Sequence, residues 1–148
     1  MFTEAALDGI EPAAVLAILS AGGFFTTSLA TGVWKWRQIM ASPTHEAHPY
    51  VDIAHRASLL YAFAAMLLAT FASLSAWSVA VDLAATAVCL FYFAVAIGTY
   101  VWHGVRQRTT NQFDRRTFIS TWGTGLLAVG EVGGFLVLFA GVAVTLLG

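Results

Sequence analysis

A short polar stretch between two long apolar runs concentrates side chains that could perform chemistry. The stretch "SPTHEAHPYVDIAHRAS", residues 42–58, contains three of the four histidines, a glutamate and an aspartate. Imidazole and carboxylate groups are ligands for zinc and iron. The residue types therefore leave open a metal site at His45 and His48, a single imidazole ligand at His55, or a solvated loop.

Two prolines divide this stretch into a loop and the start of a helix. Pro43 and Pro49 keep residues 42–50 irregular, and no regular spacing then fixes the first two histidines relative to each other. The third, His55, lies within an apolar pattern of helical period. We therefore predict a solvated loop followed by a helical histidine that is available as a ligand.

On a helix, His55 would share one face with small, polar and apolar side chains, namely Ser58, Leu59, Ala62 and Met66. Asp52 lies one turn earlier on the same side. Asp52 or a backbone carbonyl could hold the second ring nitrogen, as happens for metal-ligating histidines. The alternative is a histidine at headgroup level that bonds a lipid phosphate or a loop carbonyl.

A second stripe follows at three- and four-residue spacing, and it contains Cys89, Tyr92, Ala96, Thr99 and His103. A hydroxyl in lipid needs a partner or a cavity. Tyr92 and Thr99 therefore predict a polar wall, unless the threonine bonds its own helix and the tyrosine a neighbouring one. His103 falls near a helix end, where an interfacial role is expected.

Glu131 is the residue of the apolar segments whose transfer into the bilayer has the most unfavourable free energy. It stands 13 residues beyond Phe118, which is roughly 20 Å along a helix axis. An acid near the middle of a bilayer is a candidate functional group. Gly130, Gly133 and Gly134 surround it and would let a helix, a second subunit or a flat cofactor approach. The structural alternative is a neutral carboxyl that holds a tight helix interface.

The elements that carry these residues are transmembrane helices. The chain has 148 residues, of which 59% are hydrophobic and 10% charged, unlike a soluble domain. Four apolar stretches reach the length of roughly 20 residues that crosses a bilayer. They predict an all-α, integral membrane four-helix bundle in one domain, 1–148, with spans at 12–34, 53–76, 79–102 and 118–147.

Charge predicts the orientation of the bundle. All seven cations flank the first and third connections: Lys35, Arg37, Arg56, Arg106, Arg108, Arg115 and Arg116. Loops 39–52 and 104–117 are therefore expected in the cytoplasm and both termini outside, in a bacterial inner membrane. The start of the chain, with Glu4 and Asp8, lacks the basic region of a secretory signal, and we expect it to be retained.

No phosphate-binding glycine motif, esterase elbow, cysteine pair or basic surface for nucleic acid is present. The chain resembles styrene oxide isomerase and the related hydroxylaminobenzene mutase-like group of small four-helix membrane proteins. The resemblance rests on "AHRASLLYAFAAMLLATF" (54–71), "FYFAVAIG" (91–98) and "NQF" (111–113), roughly a third of the chain.

The resemblance implies haem b, with His55 as the iron ligand, Tyr92 lining a substrate pocket and Asn111 at its polar edge. Met66, on the His55 face, and Glu131 complete the candidate cofactor contacts. The implied activity is isomerisation of a small apolar epoxide, with the iron as Lewis acid. The implied assembly is a homo-oligomer, a trimer by analogy, with haem between subunits.

The sequence departs from this family at three positions. Tyr61 and Val88 stand where the family has asparagines, and Glu131 has no counterpart. A second resemblance, to the membrane-associated eicosanoid and glutathione family, ranks lower because no acid follows His55 within two turns. A non-enzymatic accessory subunit, with or without haem, that assembles with a membrane protein partner is the competing interpretation.

Overall fold

The computed structural model describes residues 9–114 and 118–148, and within them the chain forms four long helices and no strand. In order, these are α1 Pro12–Ala41, α2 Pro49–Leu74, α3 Val79–Arg106 and, after a π-helical turn at Ile119–Gly123, α4 Thr124–Leu147. Each is long and apolar enough to cross a membrane. The predicted all-α four-helix bundle is confirmed. Glu4, Asp8, Arg115 and Arg116 lie outside the described residues.

Helix α2 begins earlier than the apolar pattern suggests. Pro49 occupies its first turn, where a missing N–H costs nothing. His48 caps the helix, because its Nδ1 accepts a hydrogen bond from the Tyr50 N–H at 3.3 Å. Tyr50 is therefore a buried helical residue with 4% exposure, and the predicted solvated loop is shorter than residues 42–50.

The two middle helices form the centre of the bundle. Helix α1 packs against α2 and α3, and α4 packs against α3 and α2. Within the described residues α1 and α4 do not touch. They therefore lie on opposite sides of the α2–α3 pair.

Small side chains allow α1 and α2 to approach closely. Nine alanines of these two helices have no more than 5% exposure: Ala13, Ala14, Ala17, Ala21, Ala54, Ala62, Ala65, Ala69 and Ala72. Small residues at helix contacts are typical of membrane bundles, where packing rather than water exclusion holds the helices together. Many large apolar side chains are instead exposed on the outside of the bundle, as expected for a lipid-facing surface.

The two ends of the bundle differ in charge. At the end where α1 and α3 finish lie all the described Lys and Arg residues, and we call it the basic end. At the opposite end, which we call the acidic end, lie Glu11 and Asp82. The backbone N–H of Ala76 donates to the Gly141 carbonyl at 3.2 Å, which fixes α4 to the α2–α3 turn there.

Candidate functional site

His55 is held by the backbone of α1. Its Nδ1 lies 2.9 Å from the Ser28 carbonyl oxygen, which can only accept, so Nδ1 carries a proton and donates. The Ser28 hydroxyl in turn donates to the His55 carbonyl at 3.2 Å. This reciprocal pair joins α1 to α2 and fixes the orientation of the imidazole ring.

The fixed tautomer leaves Nε2 available. When the ring is neutral, a protonated Nδ1 places the lone pair on Nε2, which is the arrangement of most metal-ligating histidines. Gly32 lies beside the ring: a Cβ at that position would meet His55 Cε1 at 3.0 Å. The absence of a side chain at Gly32 therefore makes room for the imidazole in this orientation.

Asp52 does not orient His55, although the sequence allowed it. Its two carboxylate oxygens bind Lys35 Nζ and an Arg56 guanidinium nitrogen, each at 2.6 Å. Two cations thus share one anion, which leaves this cluster with one excess positive charge. Because the side chains are partly exposed, this cluster contributes little to stability, but its charge would attract an anion.

The loop histidines have separate environments. His48 caps α2, whereas His45 is exposed and has a left-handed backbone with φ of 55°. Within residues 9–114 and 118–148, no three His, Cys, Asp or Glu side chains are grouped to hold a metal ion. The two loop histidines therefore do not belong to a group of three such side chains in the described region.

Glu131 joins α4 to α2. The Tyr61 hydroxyl donates to Glu131 Oε1 at 3.3 Å. The Tyr61 ring stacks on Phe93, with centroids 4.2 Å apart. The Cys89 thiol donates to the Glu131 carbonyl at 3.5 Å. Glu131 is therefore a partnered residue in the centre of the bundle, at a point where three helices meet.

Tyr92 lies in an open apolar groove between α3 and α4. Its ring lies directly against Gly130, where a Cβ would overlap it. The groove is lined by Ala87, Val88, Phe91, Leu126 and Val129 in addition to these two residues. Tyr92 thus contributes a hydroxyl-bearing aromatic ring to a surface that otherwise offers only hydrocarbon.

A larger cavity of about 760 Å³ opens at the basic end, within the size range of small-molecule sites. Its apolar wall includes Val95, Ala96 and Leu127, and its polar residues include Thr99, Tyr100, His103, Arg108, Asn111 and Asp114. Gly123, from the π-helical turn, also lines it. Such turns often occur at functional sites.

The loop below this cavity is fixed to α2 by Tyr50. The Gln112 N–H donates to the Tyr50 hydroxyl at 2.6 Å. The Tyr50 ring lies 4.9 Å from the His103 ring, centroid to centroid. His103 therefore packs on an aromatic ring at the rim of a cavity, as well as lying near a helix end.

One protomer does not assemble the five predicted site residues. His55 faces α1, whereas Tyr92 lies against α4 on the other side of the bundle. Asn111 lines the basic-end cavity, which does not include Tyr92. Met66 is 46% exposed, and Glu131 is bonded to Tyr61. Neither of the two described cavities is lined by both His55 and Tyr92.

Sequence reasoning missed the partners that α1 supplies. Nothing in the spacing of α2 indicates that Ser28 and Gly32 meet His55, although a serine and a glycine four apart mark a small helix face. Comparisons of the chain with protein families, curated proteins and solved structures found no match.

Proposed function

We propose that this protein is a haem b-binding membrane isomerase that acts on a small, apolar, epoxide-like compound. The single observation that carries the proposal is the donation from His55 Nδ1 to the Ser28 carbonyl at 2.9 Å. It leaves Nε2 as a preoriented ligand. The resemblance of helices two and three to styrene oxide isomerase supports the same assignment.

The residues around His55 suit haem. Gly32 gives the imidazole room, and the Lys35–Asp52–Arg56 cluster carries one excess positive charge for a propionate carboxylate. With haem bound through His55 alone, the open iron position would supply a Lewis acid for an epoxide oxygen. For this chemistry, the chain must supply one neutral imidazole ligand near an apolar surface.

The chain's own residues would hold the substrate and exclude water. The groove beside Tyr92 is apolar, with Phe91 exposed along it. An apolar wall favours internal rearrangement over attack by water. Because His55 and Tyr92 lie on opposite sides of one protomer, the proposal includes a homo-oligomer, a trimer by analogy with the family that the chain resembles, in which one subunit's His55 faces the next subunit's groove.

Haem retention tests the ligand. Protein produced with a haem precursor should show a Soret absorbance, and His55→Ala should abolish it. Adding imidazole to His55→Gly should restore it, because the free ligand can occupy the vacated space. The control is the double variant His45→Ala and His48→Ala, which should retain haem. Loss of the Soret band in the control instead would place the site in the loop.

Product analysis tests the reaction. A haem-loaded preparation, incubated with a panel of aryl and alkyl epoxides, should yield carbonyl products that gas chromatography identifies. Tyr92→Phe should lower the rate without changing the Soret band. A haem-loaded protein that converts no epoxide would favour a haem-carrying accessory subunit, and a colourless protein would favour a haem-free one.

We also propose that the basic end faces the cytoplasm of a bacterial inner membrane, with both termini outside. The positive-inside rule supports this orientation. Cysteines introduced as Ser42→Cys and Thr110→Cys should label only from the cytoplasm, whereas Ser78→Cys, in the opposite turn, should label from outside. Native Cys89 is buried and gives little background. The converse labelling pattern would reverse the orientation.

A further inference from the structure

One threonine departs from the hydrogen-bonding pattern of the helices. In the described helices, the hydroxyls that donate to the carbonyl four residues earlier include those of Thr26, Thr27, Thr31, Ser58, Thr70, Ser73, Thr99 and Thr145. Thr86 is 0% exposed, yet its Oγ1 has no hydrogen-bond partner. Its hydroxyl is therefore buried without the bond that its own helix normally supplies.

Asp82 lies one turn before Thr86, and it also has a buried side-chain oxygen without a hydrogen-bond partner. It is 1% exposed, and its Oδ1 has no hydrogen-bond partner. Helix capping does not explain it: Ser78 is the N-cap, and Asp82 is the fourth residue after it, one beyond the position from which an acid reaches back in a capping box. A buried carboxylate oxygen is thus left unsatisfied.

The two unsatisfied oxygens, Asp82 Oδ1 and Thr86 Oγ1, belong to residues on the same face of α3. Residues four apart are neighbours on a helix face, and side chains lean toward the helix N-terminus, so Thr86 leans toward Asp82. Glu11, at the start of α1, carries the third buried side-chain oxygen without a partner in the described chain. All three lie at the acidic end.

No side-chain cation of the described chain neutralises this carboxylate. In the described residues, Asp52 is the acidic partner in both ion pairs. All Lys and Arg residues in that part of the chain lie at the basic end, and residues 1–34 contain none. Burial of a charge without a partner is unfavourable, so an ionised Asp82 would favour binding of a cation from solution.

We propose that Asp82 and Thr86 form a binding site for a small monovalent cation, with sodium as the probe. The Thr86 hydroxyl does not donate to the Asp82 carboxylate, so neither group satisfies the other. A cation would satisfy both oxygens and balance the single charge of Asp82. A water molecule would satisfy them but would leave the charge.

Thermal unfolding tests this site. The full-length protein in detergent is scanned in choline chloride, with sodium chloride replacing it at constant ionic strength. Saturation should raise the Tm by about 5 °C, the size expected for a ligand far above its Kd. Thr86→Val and Asp82→Asn should each remove the rise, and the control Thr99→Val, on the same helix, should keep it.

The outcomes separate the alternatives. If sodium does not change the Tm of the wild-type protein, the proposal is overturned. An Asp82→Asn variant that is at least as stable as wild type would then indicate a protonated or water-bridged carboxyl. A sodium effect that survives in both Asp82→Asn and Thr86→Val would place the ion elsewhere. A rise with calcium but not sodium would overturn the monovalent assignment. If Asp82→Asn does not fold, Thr86→Val alone decides between these outcomes.

Discussion

Two adjacent glycines of α4 should differ in how the same substitution changes stability. Gly134 is buried against α3, and a Cβ there would meet Cys89 Sγ at 2.6 Å and the Ala85 carbonyl oxygen at 2.8 Å. Gly133 faces open space, with no atom within 4 Å of such a Cβ. Both lie inside the same helix, so each is the other's control.

The magnitude follows from two effects. Replacing glycine with alanine in a helix interior gains about 1 kcal/mol of propensity at either position. At Gly134 the added methyl also forces α3 and α4 apart, at a cost of about 1–3 kcal/mol. Propensity cancels in the comparison, and Gly134→Ala should therefore be less stable than Gly133→Ala by about 1–3 kcal/mol.

Thermal unfolding in detergent measures this difference. At about 2–4 °C per kcal/mol, the Tm of Gly134→Ala should lie roughly 2–12 °C below that of Gly133→Ala. Adding Cys89→Ala to Gly134→Ala should recover part of the loss, because it removes the thiol but not the Ala85 carbonyl. Equal stability of the two glycine variants would refute the described contact between α3 and α4.

Two further substitutions probe the candidate site. Gly32→Ala should displace the His55 ring, because the new methyl would lie 3.0 Å from Cε1. Haem retention in the Soret assay should therefore fall. The control is Gly22→Ala, where no atom lies within 4 Å of the new methyl, and haem retention should be unchanged. Glu131→Gln should keep the size-exclusion profile because an amide oxygen still accepts from Tyr61, whereas Glu131→Leu should lose this bond and about 0.5–3 kcal/mol of stability. If the leucine variant matches wild type in profile, haem absorbance and activity, Glu131 has neither a structural nor a functional role.

The four helices could be predicted from the sequence because their cause is local. An apolar run of bilayer length forms a helix, since lipid offers the backbone no other partner. The starts of α1 at Pro12 and α3 at Val79 agree with the apolar pattern. The predicted ends at residues 34 and 102 stop short of Ala41 and Arg106, because polar residues at an interface continue a helix that hydropathy alone would end.

The candidate site could be predicted only in part. Residue type and helical context single out His55 and Glu131, because an imidazole or a carboxyl in an apolar segment is costly at any contact. Their partners depend on how helices cross. The Ser28 carbonyl rather than Asp52 holds His55, and Tyr61, predicted only as a departure from a family pattern, donates to Glu131.

The sequence by itself thus determined which segments are helices, which end of the bundle is basic, and which side chains are too polar for their surroundings. Only the tertiary structure decided what those side chains meet. It separated His55 from Tyr92 by placing α1 and α4 on opposite sides, and it buried Asp82 and Thr86 without partners. The reason is physical: hydropathy and helix formation act between neighbours in the chain, whereas hydrogen-bond satisfaction in lipid depends on contacts between residues that are distant in sequence.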